Sequence, residues 1–361
     1  MANYHYLDYK KTFEFCKSYF QSIGVSEEGS ETIADVLTTS DLMGIESHGL
    51  QRMIMYHGGV KNGRINPTAQ PTVEKETPVS AVINAHDGFG HIVGKMAMQM
   101  AIDKAKQCGI GMTVVNNSTH YGIAGYYSMM AAKQGVLGFS MTNTEALVVP
   151  TFGKTAMIGT NPIAVTMPAE PYPLHIDMAT STVPAGKIEV YNKLGKSCPE
   201  GWILNAEGKV TTNPQEFIDI RANKTDGGLL PLGGAGELFS GHKGYALGVL
   251  VELMTAILSG GNTSYYVRRQ RNVEKCCHWF MAVDYSIFGD KAEIEAHMSR
   301  FMQELRDSNK ADGHDRIFTH GERELSNFEN VKATGLKASD KTYAELLQIA
   351  EEAHLDVSLI Q

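Results

Sequence analysis

The chain has 361 residues, 43% of them apolar and 20% charged, with five cysteines and a net charge of −8. That balance describes a folded protein and excludes a nucleic-acid footprint, which needs a concentrated basic surface; the one basic cluster is Arg268-Arg269-Gln270-Arg271. The length exceeds one ordinary core, so two lobes are expected.

The first eight residues show no basic stretch followed by an apolar run, so no secretory signal is read there. Residues 8–65 read as helical, with apolar positions three and four apart in Phe13, Phe15, Cys16, Tyr19 and Phe20, then in Ile33, Val36, Leu37 and Leu42. Ser26 ahead of Glu27 and Glu28 has the chemistry of an N-cap. The segment from Ser47 to Tyr56 predicts a helix on which His48, Arg52 and Tyr56, four apart, share one face. Arg can grip a carboxylate with two parallel hydrogen bonds and His can move a proton near neutral pH, so the stripe suits a small anionic substrate. It also fits an ordinary solvated face.

From residue 76 short apolar runs alternate with helices. Strands are expected at 81–85 and 112–116 around a helix at 96–107, then a helix from His120 to Lys133. Further strands are read at 137–141, 155–158, 163–167, 174–178 and 279–283, and helices at 242–258, 291–305 and 341–352. The pattern is a central α/β lobe (76–284) flanked by helical ends (1–75 and 285–361) that pack together. The apolar run 244–258 contains Glu252 and is too short to span a bilayer.

Asp87-Gly88-Phe89-Gly90-His91-Ile92-Val93-Gly94 follows a strand and opens a helix, yet its third glycine comes one residue late for a Rossmann fingerprint and no acid is placed for ribose. A tight turn is the simpler reading. In Asn116-Asn117-Ser118-Thr119-His120-Tyr121-Gly122, His120 sits near a helix start, where the dipole favours a neutral ring able to accept a proton or steer a carbonyl. A plain cap beside a surface histidine fits as well. Gly159-Thr160-Asn161-Pro162 is a turn, and Asp177 closes an apolar strand. Lys187, after Gly186, and Lys243, at the mouth of the 242–258 helix, can neutralise phosphate. His86 with His91, and Cys276-Cys277-His278, lack ligand spacing, so no metal is expected. Ser118, Ser140 and Ser181 lack a nucleophile elbow. Cys16, Cys108, Cys198, Cys276 and Cys277 show no disulfide spacing, which suits a reducing cytoplasm.

Taken in order, Ser47-His48-Gly49 with Arg52 and Tyr56, Asn117 to Gly122, Thr142-Asn143-Thr144, Gly159 to Pro162, Asp177-Met178-Ala179-Thr180-Ser181 and His242-Lys243-Gly244-Tyr245 resemble the type-2 malate/L-lactate dehydrogenase family, from about Asp41 to Glu324. The family includes ureidoglycolate and sulfolactate dehydrogenases and cyclic imine reductases. The resemblance implies an α+β fold: a non-Rossmann dinucleotide-binding domain with a mostly antiparallel mixed sheet, plus a helical domain from both chain ends, with sites at a homodimer interface. It implies NAD or NADP as cofactor and His48 or His120 as acid/base, His48 being favoured, with Asp177 as its orienting partner. Ser47, Arg52, Tyr56 and Thr160 match substrate-binding positions. His48, His120, Gly122, Asn143, Thr144, Asp177, Met178, Ala179, Lys187, Lys243 and the Gly321-Glu322-Arg323 turn match cofactor-binding ones, with His320 standing where the family usually has proline.

The expected activity is reversible oxidation of a 2-hydroxy acid, malate or L-lactate first, without nucleic-acid or membrane partners. Reduction of a cyclic imine acid, a non-catalytic dinucleotide-binding protein and a metal-dependent hydrolase are the alternatives.

Overall fold

The computed structural model describes residues 4–269 and 275–361, so Gln270 and Arg271 of the basic cluster lie outside the described residues. Strand β1 (Tyr4–Leu7) leads into α1 (Tyr9–Ser22), α2 (Glu27–Leu42) and α3 (Met53–Lys61). Asp8 accepts the Lys11 N–H at 2.9 Å and Ser26 the Gly29 N–H at 3.2 Å, so α1 and α2 each begin on a side-chain oxygen. β2 (Thr72–Glu76), β3 (Ser80–Asn84), α4 (Gly90–Cys108), β4 (Ile110–Ser118), α5 (Ala124–Lys133), β5 (Leu137–Thr142), β6 (Ile163–Met167) and β7 (Leu174–Met178) follow. Then come the small elements α6 (Ala185–Lys193), β8 (Ile203–Leu204), β9 (Val210–Thr211), α7 (Pro214–Asn223) and β10 (Gly228–Leu229). The chain continues with α8 (Gly241–Glu252), α9 (Ser264–Arg269), β11 (Cys276–Val283), α10 (Lys291–Asp307), α11 (Glu322–Thr334), β12 (Leu336–Ser339) and α12 (Asp340–Glu352).

The main sheet has seven strands in the order β2-β3-β4-β11-β5-β6-β7. Only β3 and β4 run parallel among the described strands, joined by the α4 crossover; every other neighbouring pair is antiparallel. The fold is therefore α+β with a mostly antiparallel mixed sheet, and the strand–helix–strand unit read from the sequence is its single parallel step. β11 arrives from far along the chain to fill the centre, placing Phe280 opposite Thr113 on one side and Ser140 on the other. One face of the sheet packs on α4 and α5 through Val93, Ala97, Val115, Tyr127 and Phe280; the other packs Val114, Met141 and Trp279 on Val251 of α8.

The chain ends meet where β1 pairs with β12, and α1, α2 and α12 share one core around Leu7, Phe15, Phe20, Leu37, Leu346 and Ile349. Residues 291–307, expected among those helices, are tied instead to the turn after α5 and the turn after β6. Lys291 Nζ donates to Gly135 O at 2.9 Å, and Ser299 Oγ accepts the Glu170 N–H at 2.9 Å.

Local departures from the sequence reading have identifiable causes. Residues 155–158 form only isolated bridges, to Val148 and Gly227, because no neighbouring strand continues beside them. The helix expected from His120 starts at Ala124, since Gly122 (φ 82°) turns the chain first. In the glycine-rich motif the left-handed turn is made by His86 (φ 50°) and Asp87 (φ 61°). The glycines allow close approach instead: a Cβ on Gly90 would lie 2.2 Å from Thr119 O, and one on Gly94 2.7 Å from the Tyr127 ring. Among the described residues no helix is long and apolar enough to cross a membrane.

Candidate active site

After α2 the chain turns through Gly44 (φ 76°) into two short 3-10 turns, Glu46–His48 and Leu50–Arg52, before α3 begins. The continuous helix expected through His48, Arg52 and Tyr56 is thus broken at Gly49 (φ −92°, ψ −138°). Asp41, buried at the end of α2, accepts the Leu50 N–H at 2.8 Å, and a Cβ on Gly49 would fall 2.0 Å from its Oδ1. Glycine is what lets this acid clamp the loop. Burial pushes the Asp41 carboxyl well up, and the Leu50 N–H works the other way.

The loop still delivers its side chains to one place. The His48 ring stacks on His120 at 5.5 Å, and the Tyr56 hydroxyl lies 2.7 Å from His120 Nδ1. His120 comes from the turn between β4 and α5, pressed on α2 where a Cβ on Gly122 would meet Val36 at 2.5 Å. Ser47 Oγ is 2.8 Å from His48 Nδ1. Arg52 Nε donates to Ser47 O at 2.6 Å, and its terminal nitrogens make no protein hydrogen bond among the described residues. The start of α6 borders them: a Cβ on Gly186 would lie 3.8 Å from Ser47 Cβ and 3.9 Å from Arg52 Nη2.

Burial, then the Arg52 cation, pull His48 down to about 4. Burial first, then the neighbouring His48, Arg52, His91 and His278, hold His120 well below the ordinary imidazole range. Both rings are neutral at pH 7. Tyr56 is 0% exposed, with its hydroxyl also 3.2 Å from His91 Nε2. It therefore stands behind His120, which corrects the expected substrate contact: a buried phenol shared by two imidazoles does not face a ligand.

Asp177 closes β7, and its Oδ2 accepts the Gly125 N–H at 2.7 Å in the first turn of α5. The carboxylate is drawn to the positive end of that helix, so the expected pairing with His48 is not formed and Ser47 takes its place. Burial raises Asp177 to about 6, the Gly125 N–H opposing and Glu324 adding. Asp177 opens instead on a cleft of about 230 Å³ lined by Ile45, His175, Met178, Gly321 and Arg323. Half-buried Ala179 follows Met178 at its edge. Arg323 lies 4.2 Å over the Phe318 ring. His175 Nδ1 pairs with Thr166 Oγ1 at 2.8 Å, but its Nε2 is buried with no partner among the described residues, a polar atom that a ligand would satisfy. Glu322 turns inward, 1% exposed, to pair with Arg316 and accept the Thr319 N–H at 3.1 Å. It braces the turn and does not face the cleft.

A third group ties the sheet to α8. The Thr160 N–H donates to Thr144 Oγ1 at 3.1 Å. Asn143, 0% exposed, donates to Asn262 O and accepts the Cys277 N–H, both at 2.8 Å, so its side chain serves the fold. Asn161 Nδ2 reaches Glu252 Oε1 at 2.8 Å. Lys187 lies 5.2 Å over Trp202 and Lys243 is exposed on the first turn of α8; neither ammonium makes a hydrogen bond among the described residues. Sequence reasoning weighed His91 only as a metal ligand and gave no site role to Asp41, His175 or Glu252. His91 had a signal, since it falls on the buried face of α4 with Gly94, Met98, Ala101 and Ala105. Among the described residues no group of three His, Cys, Asp or Glu is placed to hold a metal ion.

The malate/L-lactate dehydrogenase family model matches residues 7–347. A malate dehydrogenase of Pyrococcus horikoshii is 41% identical over 355 residues, 98% of this chain and 97% of the relative. An L-sulfolactate dehydrogenase of Methanothermobacter thermautotrophicus is 36% identical, covering 95% of each. The crystal structure of malate dehydrogenase from Entamoeba histolytica superposes with a TM-score of 0.94 at 35% identity, over 98% of this chain and 99% of that one. With this coverage, the chain belongs to the malate/L-lactate dehydrogenase family.

Proposed function

We propose that the protein is a nicotinamide-dependent oxidoreductase interconverting a small 2-hydroxy acid and its 2-keto acid, with malate and oxaloacetate first. The observation that carries this is the meeting of His48 and His120 with the unengaged terminal nitrogens of Arg52. The similarity to malate dehydrogenases over nearly the whole chain supports malate ahead of lactate.

The cofactor, NAD or NADP, supplies the hydride carrier. Asp177, Met178, Ala179, Gly321 and Arg323 would hold it, with the buried His175 Nε2 as a polar atom awaiting a partner. The exposed ammonium groups of Lys187 and Lys243 are suited to its phosphates. Arg52 grips the substrate carboxylate with the guanidinium edge that Ser47 leaves open. His48, neutral at pH 7, takes the hydroxyl proton during oxidation and returns it during reduction. General-base help of this kind is worth about 10²–10⁴ in rate, and orientation adds to it.

The assembly is a homodimer. Val249, Leu250, Leu253, Ile257 and Leu258 recur at helical spacing on the outer side of α8 and its π-turn, 41–58% exposed, an apolar stripe that a second copy would cover. Five cysteines that form no disulfide among the described residues suit the cytoplasm.

The test is oxidation of NADH and of NADPH by oxaloacetate, pyruvate, sulfopyruvate and a cyclic imine acid. Oxaloacetate is expected to give the highest kcat/KM. An imine acid ahead of every keto acid would change the substrate, and no turnover with any of them would end the proposal.

A further inference from the structure

The hydroxyl of Tyr56 lies between two imidazoles, 2.7 Å from His120 Nδ1 and 3.2 Å from His91 Nε2. A hydroxyl has one proton to give, so in a neutral cluster it donates to one ring and accepts from the other. The direction follows from a third group. The Gly122 N–H lies 3.3 Å from the same His120 Nδ1, and a backbone amide can only donate. His120 Nδ1 therefore carries a lone pair, which the closer hydroxyl and the more distant amide share. The proton of the neutral His120 ring is on Nε2.

His91 completes the chain. With its proton given to His120, the Tyr56 oxygen accepts from His91 Nε2–H, which leaves His91 Nδ1 bare. That atom is buried without a hydrogen-bond partner among the described residues, as expected of an acceptor; a stranded N–H is the rarer arrangement. Tyr56 and His91 are both 0% exposed, so water does not compete for these atoms. Burial, and then His278, hold His91 down at about 3, which keeps one proton on this ring as well.

We propose that His91 is a positioning residue: through the Tyr56 hydroxyl it locks His120 as the Nε2–H tautomer, making His120 a hydrogen-bond donor to the substrate oxygen and leaving proton transfer to His48. An imidazole that already bears its proton on Nε2 cannot take another there while neutral. It polarises the keto oxygen and stabilises the charge that develops on it. The balance is simple: in keto-acid reduction the carbonyl carbon gains the hydride, the oxygen gains its proton from protonated His48, and His120 keeps its own. This part of the inference rests on the function proposed above, whereas the tautomer does not.

The test uses the full-length protein with nitrogen-15 labelled histidine, His120 being assigned by its loss in His120→Gln. In the wild type, His120 Nε2 should show the protonated-nitrogen shift and Nδ1 the bare one. Tyr56→Phe leaves only the Gly122 N–H, at 3.3 Å, on His120 Nδ1 and should raise the Nδ1–H population. His91→Phe takes away the donor that turns the Tyr56 proton towards His120 and should do so to a smaller degree, while His91→Gln, which keeps an N–H near the lost Nε2–H, should restore the wild-type form. Turnover should follow the tautomer, with kcat down about tenfold in Tyr56→Phe and by less in His91→Phe, the KM for dinucleotide unchanged and kcat recovered in His91→Gln. If His91→Phe does not fold, Tyr56→Phe and His91→Gln carry the same comparison. A bare His120 Nε2 in the wild type, or a His120 tautomer indifferent to Tyr56→Phe, overturns the relay. A tautomer that responds as expected in a protein that turns over no keto acid leaves the relay standing and removes the function it was meant to serve.

Discussion

Lowering the pH from 6.5 to 4.5 is expected to remove at least about 5 kcal/mol of folding stability through buried imidazoles. Three of them account for that figure, and the lowered His48 and His120 add to it, with the raised Asp41 opposing. His91, His175 and His278 are 0, 4 and 0% exposed, and burial holds them down at about 3, 4 and 3. A histidine in the unfolded chain titrates near 6.5, so below that value the unfolded state binds protons that the folded state refuses. The stability each ring contributes is therefore complete above 6.5 and lost as the pH falls towards the folded value. Over this window each loses about 2 kcal/mol or a little more, roughly 7 together. Asp177 acts with the opposite sign: its folded pKa is raised to about 6, so the folded state gains a proton that the unfolded chain does not hold until about 3.9. That returns about 2 kcal/mol. Stopping at pH 4.5 keeps most ordinary carboxylates ionised. Urea unfolding at pH 6.5, 5.5 and 4.5, at one protein concentration, measures the loss directly. His278→Gln should flatten the slope by about 1.4 kcal/mol per pH unit, the share of one proton. A wild-type stability at pH 4.5 within about 1 kcal/mol of that at pH 6.5 would refute the neutral-cluster reasoning.

Gly49→Ala would place a methyl 2.0 Å from buried Asp41 Oδ1, so the loop or the acid must move; a stability loss of about 1–3 kcal/mol is expected by thermal unfolding, with at least a tenfold fall in kcat. A fully active alanine variant would show that Asp41 does not clamp the loop. Arg52→Lys is expected to raise the keto-acid KM about tenfold or more at little change in kcat, because one ammonium cannot reproduce a planar fork; steady-state kinetics decides it. Leu253→Glu puts a charge in the exposed apolar stripe and, if the proposed homodimer forms there, should shift the protein from dimer to monomer in sedimentation velocity. A variant that sediments as the wild type does would place the interface elsewhere.

The strands and helices with clean periodicity were legible in the sequence: β3, α4 and β4 fall where alternation and three-four spacing put them. The antiparallel direction of the sheet was not, because nothing local tells β11 to insert between β4 and β5. Residues 155–158 alternate like a strand and yet form only bridges, since a ladder needs a neighbour as well as a pattern. The site divided in the same way. His48, Arg52 and His120 were legible as residue types suited to the chemistry. Asp41 and Glu252 were not, since each acts through a partner that only the fold brings up, Leu50 and Asn161; His91 was legible as a buried position on α4, but its partner Tyr56 was not. Asp177 was legible as an acid at a strand end, but its partner depends on which backbone amide the fold brings up, and that is Gly125.

The stripe of His48, Arg52 and Tyr56 named residues that do converge, though helical periodicity is not the cause. On an unbroken helix His48 and Tyr56, eight residues apart, would be separated by about 12 Å along the axis. In the structure both rings reach one imidazole, at centroid distances of 5.5 and 6.0 Å from His120. The chain between them is not one helix but two short 3-10 turns broken at Gly49, whose missing Cβ admits the Asp41 carboxylate. Asp41 in turn is tolerated in the core because it accepts the Leu50 N–H that the broken helix would otherwise leave unpaired. The break, the buried acid and the glycine are thus one device, each stable only with the other two. It sets His48 on one side of His120 and Tyr56 on the other, with the first open to a ligand and the second sealed against His91.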